Sequence, residues 1–217
     1  MSDALTPTLL IGDTHADLDL YFRVIAEAES LHGRLPSIMV GDFGFGHLSP
    51  REAGAVERFH RANPRHRFLR GNHDHPAIIA DAPGFLADGT VSGSVLIIGG
   101  ADGGLPGWRT EMTAADMARI REHLATLART PHVVISHDAP QEAAVALAAA
   151  RGLSTDPPGA SRTRQFLSEV MAFLSPELWI FGHWHQAWEG RIGETHFRGM
   201  GFGEAFVLPL PWTPAVA

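Results

Sequence analysis

Short apolar runs that stop at Gly or at a polar turn residue recur along this chain, with helix-patterned segments between them. That alternation narrows the fold more than any other feature. Buried strands of this kind read as near-continuous hydrophobic runs and need helices to cover the sheet. The runs predict strands over 8–11, 37–40, 66–70, 94–98, 131–135 and 178–181. Helical patterning covers 17–31, 50–62, 113–129, 141–150 and 162–174. Ser49 before Pro50, with Glu52 close behind, marks a capped helix start, and Thr113 with Asp116 is a variant of the capping box. Three further strands, at 187–192, 195–200 and 204–208, are expected to form a second sheet. The stretch 151–164, through Thr155-Asp156-Pro157-Pro158-Gly159, reads as a flexible loop. In open α/β sheets ligands gather outside the carboxyl edge, so the residues ending these runs are the first place to look for chemistry.

Five blocks stand there: Gly12-Asp13-Thr14-His15, Gly41-Asp42, Gly71-Asn72-His73-Asp74, Ser136-His137-Asp138 and Gly182-His183-Trp184-His185. They supply seven candidate metal ligands: Asp13, His15, Asp42, Asn72, His137, His183 and His185. A single D-x-H or H-x-H carries little weight in a chain with 13 His, but the whole set in order is a strong signal of a two-metal hydrolase site. The absence of Cys removes disulfides and thiolate ligands together, leaving imidazole, carboxylate and amide oxygen. That palette suits Mn, Fe, Co, Ni or Zn. On an extended segment, Asp13 with His15, and His183 with His185, are expected to share one face of the pleat.

In order and type the blocks resemble the calcineurin-like metallophosphoesterase superfamily, whose signature is D-x-H, GD, GNH followed by an acid, a single His, and G-H-x-H. The resemblance runs from about Leu9 to about His185. It implies an α/β fold, a four-layer αββα sandwich of two mixed β-sheets flanked by helices, with 1–217 as one domain. It also implies two divalent metal ions, Mn first and Fe, Ni, Co or Zn as alternatives. Asp13, His15 and His185 would hold one, Asn72, His137 and His183 the other, and Asp42 would bridge them. His73 would be the general acid on the leaving group, with Asp74 orienting or polarising it. Ser/Thr protein phosphatases carry GDxxDRG at the second block; here it reads Gly41-Asp42-Phe43-Gly44-Phe45-Gly46-His47, without that Asp and Arg. The departure lowers a protein phosphatase and points to a small bacterial or phage branch.

Substrate size follows from charge and length. A formal charge of −7 argues against a general electrostatic grip on nucleic acid. The chain has no spare length for a cap domain, so an open cleft is expected. The leading reading is a phosphoesterase for a small phosphodiester or nucleotide, with nucleic-acid ends as possible substrates. A phosphomonoesterase comes second. A non-catalytic binding scaffold of the same fold is the reading from another class, and it expects lost ligands where this chain has none lost.

Other residues draw attention. Arg109, Arg162 and Arg164 are candidates to contact phosphate, Trp108, Trp184 and Trp188 to stack or to pack the wall, and His47 and His75 to line the pocket. Asp138 either supports a ligand His or sits in a turn. The basic concentration at 58–70 reads as a solvated helix end. No apolar run reaches the length of about 18 residues that a membrane span needs, and the start lacks the basic and apolar stretches of a signal peptide. A cytoplasmic location is the expectation.

Overall fold

Strand β1 (Thr8–Ile11) is buried at every residue, as a run without polar alternation requires. Its odd and even residues serve different layers. Leu9 and Ile11 pack with one cluster and Leu10 with another, the period-two consequence of the pleat. The computed structural model describes residues 7–154 and 160–208. Beyond β1, its elements are α1 (Leu18–His32), β2 (Ser37–Met39), α2 (Pro50–Ala62), β3 (His66–Phe68), α3 (Pro76–Ile79), β4 (Thr90–Ser92) and β5 (Val95–Ile98). They continue with α4 (Ala114–Thr126), β6 (Val133–Ser136), α5 (Gln141–Arg151), α6 (Arg162–Leu174), β7 (Leu178–Phe181), β8 (Trp188–Ile192), β9 (Thr195–Gly199) and β10 (Ala205–Leu208).

Among the described residues the strands form a 4-stranded sheet, β10-β1-β2-β3, and a 6-stranded sheet, β4-β5-β6-β7-β9-β8. Both are mixed: β1, β2 and β3 run parallel with β10 antiparallel, and β5, β6, β7 and β9 run parallel with antiparallel β4 and β8 at the edges. Leu10 and Ile38 from the first sheet, with Leu69 just past β3, meet Ile97, Ile135 and Ile180 from the second, so the sheets share a core. Tyr21, Val24 and Val56 bring α1 and α2 onto the outer face of the first sheet. Ile120, Leu147, Phe166 and Val170 bring α4, α5 and α6 onto the outer face of the second, around the fully buried Trp179. Helix, sheet, sheet, helix is the expected sandwich. The Ser49/Glu52 capping box with Pro50 in the first turn is present, and so is the Thr113/Asp116 box.

Four readings need correction or extension. The last three strands do not make a sheet of their own. The β8–β9 hairpin extends the second sheet beside β7, whereas β10 crosses to pair antiparallel with β1, its Leu208 entering the shared core. Strand β4 and the single turn α3 give no sequence signal, the first being short and polar, the second only four residues. The part of the 151–164 loop at 155–159 lies outside the described residues. Finally, the segment 58–70 is a solvated helix end only in part: Arg58 and Arg61 are exposed, whereas His60, His66 and Arg70 are buried. His60 Nδ1 donates to the His66 carbonyl at 2.9 Å, a bond only the protonated nitrogen can make, and Arg70 Nε donates to Asp88 at 2.8 Å.

Burial holds both His60 and His66 down at about 4, so both are neutral in the fold. In the unfolded chain they protonate near pH 6.5, so the folded state binds fewer protons below that value. Their stabilising contribution is complete above pH about 6.5 and is lost as pH falls toward 4, on the order of 2 kcal/mol per histidine. Urea unfolding at pH 7.5 and pH 5 is expected to show the loss, and a His60→Gln/His66→Gln pair to flatten the slope. An unchanged slope in the double variant would refute the assignment.

Candidate metal centre

Each block sits where a strand ends, and contacts between blocks then bend the chain inward. After β1, Gly12 N–H donates to the Glu204 carbonyl and His15 N–H to the Asp42 carbonyl, both at 2.9 Å. The Gly that precedes a candidate ligand makes room for a candidate ligand from another block. A Cβ at Gly71 would lie 2.0 Å from Asp42 Oδ1, and one at Gly182 would lie 2.3 Å from Asp13 Oδ1. Neither position admits a side chain without displacing a carboxylate.

The ligands do not converge through the pleat. His15, Asp42, His183 and His185 all have left-handed backbone, with φ of 46°, 51°, 64° and 51°. This corrects the shared-face expectation, because a left-handed residue reverses the chain and swings its ring back over the strand end. Such a conformation costs an L-residue on the order of 1 kcal/mol or more, and four together store strain of the kind found at functional sites.

Two groups result. Asp13, His15, Asp42 and His185 offer atoms lying within 4.8 Å of one another, and so do Asp42, His137 and His183. Asp42 belongs to both. In the first group the Nε2 atoms of His15 and His185 lie 2.8 Å apart, His185 Nε2 lies 3.1 Å from Asp13 Oδ2, and His15 Nε2 lies 3.7 Å from Asp42 Oδ2. In the second, Asn72 Oδ1 lies 3.0 Å from His137 Nε2 and 2.9 Å from His183 Nδ1, and His137 Nε2 lies 3.3 Å from Asp42 Oδ1. His137 Nδ1 donates to the Val40 carbonyl at 2.9 Å, which fixes the ring with Nε2 facing Asp42 and Asn72.

The electrostatics divide the imidazoles. Burial lowers His15 and His183, keeping their lone pairs free. Burial also opposes charge on His137, but Asp42 and Asp13 outweigh it and raise this imidazole to about 10. Burial disfavours the Asp42 carboxylate as well, yet His137 and the donors around it hold it well below the usual carboxylate range.

His73 is half-buried at the mouth, its ring 4.6 Å from that of His15 and 6.1 Å from that of His47. Its backbone N–H donates to Asp42 Oδ1 at 2.7 Å. Asp74 does not orient it. The Asp74 carboxylate is fully buried and accepts N–H groups from Gly71, Phe43, Gly44 and Phe45 at 2.8, 3.3, 2.8 and 2.9 Å. Because the side chain points away from the mouth, it ties the third block to the second and touches no reacting group. Burial, with the nearby Asp42 charge, raises it to about 6.

Arg164 is likewise corrected. It is buried, Nε donates to Asp138 Oδ2 at 3.0 Å, and its guanidinium lies 5.2 Å from the Trp184 ring, so it is not a phosphate contact. Trp184 Nε1 donates to Asp138 Oδ1 at 3.0 Å, making Asp138 the anchor of the turn between His183 and His185. Trp188 packs near Phe181. Trp108 packs on His47 and His75 and lines a cavity of about 480 Å³ with Gly103, Arg109 and Arg162. Arg162 is paired with Glu111 at 3.4 Å, and Arg109 is exposed. Sequence reasoning passed over Phe202, whose ring stacks on His15; its signal was an aromatic residue between Gly201 and Gly203.

A family model described as calcineurin-like phosphoesterase matches residues 6–187, the span that carries all five blocks. The chain belongs to that family. Among solved structures, this phosphoesterase is similar to the Thermus thermophilus protein TT1561, with 14% identity, 91% of this chain and 90% of that one covered, and a TM-score of 0.57. That likeness is one of fold. A conserved, predicted phosphoesterase from Streptococcus pneumoniae matches at 13% identity, with 92% and 75% of the two chains covered and a TM-score of 0.35. The sulfate thiohydrolase SoxB of Thermus thermophilus, in complex with glycerol, matches at 15% identity over 93% of this chain and 43% of that one, with a TM-score of 0.43. No curated protein matches the sequence.

The donors of this calcineurin-like phosphoesterase fit divalent cations. Two imidazole nitrogens 2.8 Å apart can share at most one proton, and otherwise two lone pairs face each other. Asp13 Oδ1 is buried with no hydrogen-bond partner. A cation satisfies both, and a borderline metal suits imidazole with carboxylate and amide oxygen. No described helix is long and apolar enough to cross a membrane.

Proposed function

We propose that this phosphoesterase is a two-metal hydrolase of small phosphodiesters or nucleotides, with Mn the preferred ion and Fe, Ni, Co or Zn able to replace it. The observation that carries the reading is the membership of Asp42 in both ligand groups, as a bridging carboxylate requires. Asp13, His15, Asp42 and His185 would hold one ion; Asp42, Asn72, His137 and His183 would hold the other. Bound ions of this kind supply an activated water and neutralise phosphoryl oxygens. The protein does the rest. His137 and Val40 fix one imidazole, Asp138 and Trp184 brace the turn carrying two more, and Asp74 locks the second and third blocks together. His73 stands half-buried at the mouth and would give its proton to the departing alkoxide, at a position set by its N–H bond to Asp42. His185, with 41% of its side chain exposed, leaves the site open enough for a diester.

The test is turnover of bis-p-nitrophenyl phosphate and p-nitrophenyl phosphate by metal-stripped protein reloaded with each ion. Metal-dependent hydrolysis with preference for the diester is expected. Preference for the monoester would move the substrate to phosphomonoesters, and no turnover of either would overturn the hydrolase reading in favour of a binding scaffold. His73→Ala is expected to cost about a hundredfold or more on an alkyl ester and far less on a nitrophenyl ester, with bound metal retained. Equal losses would make His73 a positioning residue instead.

A further inference from the structure

Phe202 is an aromatic side chain in an unusual place. It stands 50% exposed in the turn between β9 and β10, with its ring 5.9 Å from that of His15 at an interplanar angle of 10° and 5.8 Å from that of His185. Phe173, the other exposed phenylalanine among the described residues, lines a groove on the outer helix layer. An exposed apolar residue on a loose loop folds onto whatever surface it can reach, and this one is not free to do so. Gly203 N–H donates to the Asp13 carbonyl at 2.9 Å, Glu204 N–H to the Gly201 carbonyl at 3.1 Å, and Gly201 N–H to Glu204 Oε2 at 2.7 Å. Arg198 clamps the Glu204 carboxylate from the other side. Gly203 is left-handed, at φ 59°, and a Cβ there would meet Leu20. The backbone that presents Phe202 is therefore bonded to the residue that begins the metal centre, and the ring is held upright with half its surface in water.

We infer that Phe202 is a stacking platform for the base of a nucleotide substrate, so that the site selects nucleotidyl esters over aliphatic ones. The inference rests on the hydrolase reading above and names the substrate class of that same site. A rigid ring next to the reacting centre offers a flat apolar face at low entropic cost, and every nucleobase has a face to match it. Stacking reads planarity and not sequence, which suits a single nucleotide on a protein of net charge −7 better than a polymer.

The experiment compares AMP with ribose 5-phosphate, in which an anomeric hydroxyl replaces the base. Binding to Mn-loaded protein is followed by calorimetry, with released phosphate measured in parallel so that turnover is not scored as affinity. Wild-type protein is expected to prefer AMP by about tenfold, within the range that one stacked base supplies. Phe202→Ala is expected to bring the ratio near one, and Phe202→Tyr to restore it. Equal wild-type affinities, or a preference that survives Phe202→Ala, would overturn the inference while leaving the hydrolase intact. Absence of binding to both ligands, together with absence of phosphoester turnover, would remove the hydrolase reading and this inference with it.

Discussion

Asp42→Asn is expected to lose bound metal and phosphoesterase activity together, the activity by about a thousandfold, which is several kcal/mol of transition-state stabilisation. The substitution keeps the shape of the side chain and removes its charge. One oxygen would become an NH₂, facing either the side of His15 Nε2 at 3.7 Å or the side of His137 Nε2 at 3.3 Å and the His73 N–H at 2.7 Å. Whichever way the amide turns, one group loses an anionic ligand and gains a donor pointing at the place a cation would take. Metal content by elemental analysis and turnover of bis-p-nitrophenyl phosphate should fall in step. Retention of both metal and turnover would remove Asp42 from the centre.

Arg164→Met is expected to destabilise the protein by about 3–5 kcal/mol, because it leaves a buried carboxylate without its cation. Asp138 is fully enclosed; without Arg164 it retains the Ala139 N–H at 2.8 Å and the Trp184 indole N–H at 3.0 Å. Two neutral donors do not replace a guanidinium at 3.0 Å in a place without water. Urea unfolding should show a lower midpoint at unchanged slope, and Asp138→Asn in the same chain should recover most of the loss. A midpoint that hardly moves would mean that the pair is not holding the turn between His183 and His185. The methionine fills much of the arginine's volume, so the effect reads charge and not a cavity.

The strands and helices that sequence reading placed well are those whose information is local. β1 and β7 are apolar runs four residues long and fully or almost fully buried, and α2 and α6 begin at Ser49 and Ser161, whose side chains cap them. What stayed hidden depends on partners far away in the chain. Nothing in Ala205–Leu208 says that it pairs with Thr8–Ile11 instead of its neighbour β9, and the polar β4 is a strand because Val95–Ile98 offers it an edge. At the site, the five blocks could be found because each follows a strand, and the structure brings all seven candidate ligands into two adjoining groups. Their backbone could not be read. His and Asp carry no mark announcing φ near +50°, and the left-handed turns come from contacts between blocks. Direction was hidden as well: Asp74 follows His73 in sequence, yet it faces the opposite way, into the backbone of the second block. Arg164 reads as a candidate phosphate contact in the sequence because its partner, Asp138, lies 26 residues away.

The antiparallel seat of β10 beside β1 has a consequence for the order in which the molecule is made. β1 is among the first stretches of the described chain to leave the ribosome and Ala205–Leu208 the last, so one edge of β1 stays open until synthesis has passed every ligand block. Both backbone bonds that pin Asp13 and its preceding glycine come from Gly203 and Glu204. The earliest ligand is thus set in place by the latest residues, and a nascent chain stalled just short of them would carry all seven donors and an exposed strand edge open to wrong pairing. On the two-metal reading, loading would be a closing event of biosynthesis, since the candidate site is complete only when β10 has taken its place beside β1.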